Sequence, residues 1–126
     1  MRYLCMIFAS DAQMGAIPPA ELAAFVNEHL DYDDRLRASG HFVESEALEA
    51  ASTAAVVRVR NGRLSVTDGP FIETNEQLGG FYLVEAASEE EAVRLAAGIP
   101  SSRIGSVELR PVLELARPAE EGQGQP

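Results

Sequence analysis

Two features of this chain are equipped for acid–base chemistry: a histidine among carboxylates, and a loop that gathers polar groups between strands. His29 lies between Glu28 and Asp31, with Asp33 four residues on. A neighbouring carboxylate holds an imidazole in one tautomer and raises its pKa, which suits a general base near neutrality. The same spacing also describes a solvated histidine on a helix surface with an acidic i,i+4 neighbour. His41 follows Gly40 at a strand start and reads as an edge or helix-end residue.

The loop is the segment TDGPFIETNEQLGGF, Thr67 to Phe81. Loops held by a sheet concentrate binding groups. Asp68 and Glu73 are its candidate acid/base groups or polar anchors, joined by His29 as a possible base. Phe71 and Tyr82 would form the apolar wall of a pocket, with Glu76 and Arg58 as further ligand contacts. Read as turn chemistry alone, Asp68 closes an Asx turn, Pro70 fixes φ and Phe71 plugs one end of the fold. Arg58 and Arg60 alternate with Val57 and Val59, which puts both on one strand face, able to pair with Glu85 or Glu108. Cys5 sits in an apolar run, where a buried thiol is inert.

Other chemistry lacks its residues. There is no GxGxxG, and a chain without lysine cannot make GxxxxGK[ST]; no Cys or His pair has zinc spacing. The expectation is a protein without cofactor or metal.

The elements that must position these groups follow from periodicity. Arg2 to Ala9 is a strand, apolar on both faces. Asp11 to Ile17 reads as a loop, and Pro18-Pro19 opens a helix whose stripe is Leu22, Phe25, Val26, Leu30 and Leu36, ending at Gly40. Strands follow at His41 to Leu48, Ala54 to Arg60 and Arg63 to Thr67, the last two joined by Asn61-Gly62, a strong hairpin signal. Gly79 to Ala86 is a further strand. Ser88 caps a helix with Glu91 in the capping-box position, which Gly98 and Pro100 end. Ser106 to Leu115 is the last strand. The order βαβββαβ, with the hairpin elaborating its middle, predicts an α+β, ferredoxin-like antiparallel sheet with two helices on one face.

Two helices cover only one face of a sheet. The two-sided apolar strands Tyr3–Phe8 and Phe81–Val84 then need cover on the other, and a second copy of the sheet would supply it. The expected partner is therefore a homodimer mate packed face to face.

Length and charge set the outer bounds. The 126 residues suit one domain, residues 1–115, followed by a flexible acidic tail, 116–126. Twenty acidic residues against ten arginines give a net charge of −10, a poor match to a phosphate backbone and a better one to cationic or neutral ligands. No apolar run approaches the ~18–20 residues of a spanning helix. The start, MRYLCMIFAS, reads as a buried strand rather than a secretory signal. One cysteine can make no internal disulfide, which fits a reducing, cytoplasmic setting.

At the loop the chain resembles the DGPF subgroup of the YCII-related family: Asp68-Gly69-Pro70-Phe71, Glu73-Thr74, then Glu76-Gln77-Leu78-Gly79-Gly80-Phe81-Tyr82, flanked by Val57 to Gly62 and Gly105 to Pro111. The resemblance implies a dimeric α+β barrel. Its shorter relatives include small lyases, among them dehydrochlorinases of chlorinated hydroxyquinones with a proposed His–Asp pair. This chain has Glu21 after Pro19-Ala20 where those have the histidine, and Ile99 before Pro100 where they have the aspartate. DGPF-type genes also lie beside extracytoplasmic-function sigma factors. Two functional expectations follow. One is a small-molecule-binding protein or cofactor-free, lyase-like enzyme with its pocket at the DGPF loop. The other is a non-catalytic regulator that meets a sigma factor by protein contact.

Overall fold

The structure is a computed structural model and describes residues 1–118. The part of the expected tail beyond residue 118 lies outside the described residues. Six strands and three helices follow in chain order: β1 Arg2–Ala9, α1 Asp11–Gly15, α2 Pro19–Ser39, β2 Phe42–Ala47, β3 Ala55–Arg60, β4 Arg63–Asp68, β5 Gln77–Glu85, α3 Glu89–Gly98 and β6 Ser106–Pro111. Short 3₁₀ turns sit at Ala51–Thr53 and Pro100–Arg103.

The strands form two sheets rather than one. Four pair antiparallel in the order β2-β5-β1-β6, while β3 and β4 pair only with each other. With the β3–β4 hairpin set aside, the remaining β-α-β-β-α-β order is compatible with a ferredoxin-like α+β fold.

The ends of α2 are where the sequence placed them. Pro19 occupies the first turn, where a missing N–H costs nothing, and Gly40 closes the helix at φ 81° in the left-handed region. α1 was expected to be loop. Ser10 caps it: its Oγ accepts from the Gln13 N–H, and the Gln13 side chain accepts from the Ser10 N–H. That reciprocal box compensates the first-turn donors of a five-residue helix that propensity alone would not support. The last strand stops at Pro111, short of the expected Leu115; Leu113 and Leu115 beyond it are exposed.

The core lies between the helices and one face of the sheet. Tyr3 and Cys5 from β1 and Tyr82 and Val84 from β5 alternate toward Tyr32 and Leu36 of α2, and Ala92 and Ala96 of α3. Val84 and Ile99 are each 1% exposed. Each such fully buried aliphatic side chain contributes about 1.5–3 kcal/mol relative to exposure. Cys5 is fully buried as expected, and desolvation pushes its thiol up to about 11, so it is no nucleophile at neutral pH. The opposite sheet face carries Leu4, Met6, Phe81 and Leu83, all half-buried, between Glu44 and Glu46 on β2 and Glu108 on β6.

Only the second half of α2 reaches the core. Tyr32, Asp33 and Leu36 are buried, whereas Leu22, Val26 and Leu30 of the expected stripe are 45–55% exposed. The stripe exists, but the sheet does not fill the space beneath it.

Candidate functional site

That unfilled space is a cavity of about 670 Å³ between the first half of α2, β2, β5 and the turn after α3. Volumes of this order hold small organic ligands. Leu22, Val26 and Leu30 form its α2 wall, and Ile7 and Leu78 part of its floor. Gly80 belongs to that floor for a steric reason: a Cβ there would lie 2.8 Å from the Glu46 carbonyl oxygen of the paired β2.

Beside Asp11, Glu46, Glu49 and Gln77, the polar lining draws five residues from four elements. His29 and Asp33 are i and i+4 on α2, so they share one face. Tyr82 comes from β5, Ser45 from β2, and Ser101 from the 3₁₀ turn. The His29 Nδ1 lies 3.0 Å from the Phe25 carbonyl oxygen, and Nε2 lies 2.7 Å from Ser101 Oγ. A carbonyl can only accept, so Nδ1 carries the hydrogen; in the neutral ring, Nε2 then accepts from the Ser101 hydroxyl. The Phe25 ring meets the imidazole edge-on at 4.7 Å between centroids. The orienting group is thus a backbone carbonyl and not the neighbouring carboxylate expected from the sequence. An imidazole held this way can take a proton through Nε2, directly or by way of Ser101.

Tyr82 is 2% exposed, and its hydroxyl donates to the His29 carbonyl oxygen at 3.4 Å. Burial above all, then the nearby Asp33 carboxylate, hold the phenol well above the usual tyrosine range, so it stays a neutral donor. Asp33 is 9% exposed, and its Oδ1 has no hydrogen-bond partner. An unmet buried acceptor of this kind costs about 1–3 kcal/mol or more.

Of the residues singled out in the sequence, His29 and Tyr82 come together here. Asp68, Phe71 and Glu73 do not line the cavity: Asp68 ends β4, and the loop beyond it is exposed, with Phe71 at 71%. Arg58 stacks its guanidinium 5.5 Å from the Phe71 ring centroid. The pairs expected of Arg58 and Arg60 with Glu85 or Glu108 do not form; Glu85 meets the N-terminal ammonium and Arg2, and Glu108 meets Arg110. Glu76 accepts from the Gln13 amide at 3.0 Å and the Ser106 hydroxyl at 3.1 Å, which ties α1 to β6. His41 takes the edge role expected of it, facing Ser39 and Glu91. Asp33 was legible only as a neighbour of His29. Ser45 and Ser101 had no local signal, because only the fold brings Ser101 to the His29 ring and Ser45 to Tyr82.

The comparisons agree with the motif reading at the level of the family. A YCII-related domain model matches residues 1–116. The chain belongs to the YCII-related family. An uncharacterized protein of Rhizobium meliloti (strain 1021) is 44% identical over 75 residues, 58% of this chain and 60% of that protein. The chain thus spans about 60% of the length of the curated relative it matches. In this YCII-related domain the cavity, and not the exposed loop, is where titratable groups converge.

The Tyr82 environment fixes a pH dependence. A tyrosine raised above its unfolded value of about 10 supports the fold fully below that pH, and the support is lost as pH climbs toward the folded value. Urea unfolding at stepped pH should show stability falling above pH ~10, with a shallower fall in Tyr82→Phe. Identical slopes in the two proteins would remove the phenol from this role.

Proposed function

We propose that this protein binds a small organic molecule in the α2–β2–β5 cavity and performs a cofactor-free, lyase-like proton transfer there, with His29 as the base. The observation that carries this reading is the 2.7 Å pairing of His29 Nε2 with Ser101 in a cavity walled by leucine, valine and phenylalanine. An apolar wall orients a ligand body, and a tautomer fixed at Nδ1 leaves one basic nitrogen for the reaction. The DGPF motif supports placing the chain in that subgroup. Its Asp68 and Glu73 serve the loop between β4 and β5 in this reading and not the chemistry.

The test separates cavity from loop. In a thermal-shift screen against quinones and small neutral aromatics, a ligand of the native state raises the melting temperature. Leu30→Trp, which fills the cavity from an exposed position, should abolish the shift. The double variant Asp68→Asn/Glu73→Gln should keep it. The reverse pattern would return the site to the loop.

We further infer a homodimer, because among the described residues no other strand pairs with the β3–β4 hairpin. Val57 pairs across from Val66 and Val59 from Leu64, giving one apolar hairpin face at 57–68% exposure. An isolated two-stranded hairpin is marginal in water, so such a face needs a cover. A regulator's contact with a sigma factor would also supply one. A second copy offers a matching apolar surface, the open sheet face of Leu4, Met6, Phe81 and Leu83. Light scattering should give twice the 13.5 kDa of one chain, and Val57→Glu/Leu64→Glu should reduce it to one. A wild-type protein that runs as a single chain through the micromolar range would contradict the dimer.

A further inference from the structure

The cavity's polar groups have a sign. Asp33 stands at its inner end, and Asp11, Glu46 and Glu49 stand around it, with no arginine among the lining residues. Among the described residues Asp33 also makes no ion pair. Acidic residues at a cavity do not make a site on their own, since carboxylates usually face water. Asp33 differs from the other three: it is nine-tenths buried, it lines the cavity, and its Oδ1 lacks any hydrogen-bond donor. Buried carboxylates are found paired, because burial removes the water that would otherwise solvate the charge. Tyr82 and Ser45 offer neutral hydroxyls in the same cavity, yet the Asp33 Oδ1 is left without a donor.

We propose that the cavity binds amphipathic organic cations, a primary ammonium bonded to the Asp33 carboxylate and an apolar or aromatic body lying against Leu22, Val26, Leu30 and Phe25. The inference rests on the cavity being the ligand site and adds the charge class of the ligand. An ammonium brings three donors and a positive charge to a buried carboxylate oxygen that lacks a donor. The surrounding carboxylates reinforce the choice, since a cleft lined by one sign of charge raises the local concentration of opposite ions. The same field disfavours carboxylate ligands, so selection works by repulsion as well as attraction.

Three probes with one body and different heads test this: 2-phenylethylamine, 2-phenylethanol and 3-phenylpropionate, titrated calorimetrically into the wild-type chain and Asp33→Asn. The amine should bind the wild type at least about tenfold more tightly than the alcohol, and the carboxylate should bind worst. Asp33→Asn should remove the amine's advantage and leave the alcohol unchanged. Salt should weaken the amine alone. Wild-type selectivity needs no variant to fold, so it decides the matter even if Asp33→Asn is unstable. Equal binding of amine and alcohol, or preference for the carboxylate, overturns the cation site while leaving the cavity as a ligand site. No binding by any of the three at millimolar concentration overturns both.

Discussion

The first half of α2 is held over the sheet by polar bonds where apolar packing would ordinarily hold it, and the site depends on that. Tyr32 and Leu36 seat the second half in the core, while Leu22, Val26 and Leu30 stand off it. Between them the helix is tied by His29, through Ser101 to the turn after α3 and through its own carbonyl oxygen to Tyr82 on β5. Arg103 adds a surface pair with Glu28 at 3.0 Å, worth little on its own because both groups are half exposed. Had the stripe packed flat, the imidazole would meet leucine side chains and no ligand could reach it. A hydrogen bond contributes about 0.5–1.5 kcal/mol. Closing the gap would bury three more aliphatic side chains, each worth about 1.5–3 kcal/mol. The open cavity is therefore the less stable arrangement on these terms alone, as expected where a fold keeps room for a ligand.

The same excess of apolar surface recurs at the hairpin and on the far sheet face. In each place the alternation of strand residues puts valine, leucine, methionine or phenylalanine on a surface that this chain's own helices do not cover. Helices on one side of a four-stranded sheet make that unavoidable. The hairpin differs from the cavity in its surroundings: it pairs in a sheet of its own and its apolar face is exposed, whereas the cavity lies between elements of one chain. An open cavity and an exposed hairpin face thus arise from one shortage of helix.

The sequence carried the element types well and the tertiary partners poorly. Proline at the start of α2, Gly40 at its end and the Asn61-Gly62 turn are local signals, and each element they bound formed as expected. The α1 box of Ser10 and Gln13 is equally local, but five residues carry no periodicity to mark a helix. The stripe of α2 was visible, but periodicity says which residues share a face and nothing about whether a sheet lies beneath them. The DGPF segment carries functional weight in its composition, but composition does not say whether a loop adjoins a cavity, and Phe71 and Glu73 are exposed. Ser101 and His29 are 72 residues apart and met only through the fold.

The most direct test of the His29 tie is a long-range proton–nitrogen NMR correlation of its ring, recorded at a pH where the ring is neutral, in the wild type and in Ser101→Ala. A ring held by Phe25 and Ser101 shows its hydrogen on Nδ1 and a bare Nε2, whose nitrogen shift moves when the serine hydroxyl is removed. A hydrogen on Nε2, with no response to Ser101→Ala, is the spectrum of a solvated surface histidine and would contradict a base positioned in the cavity.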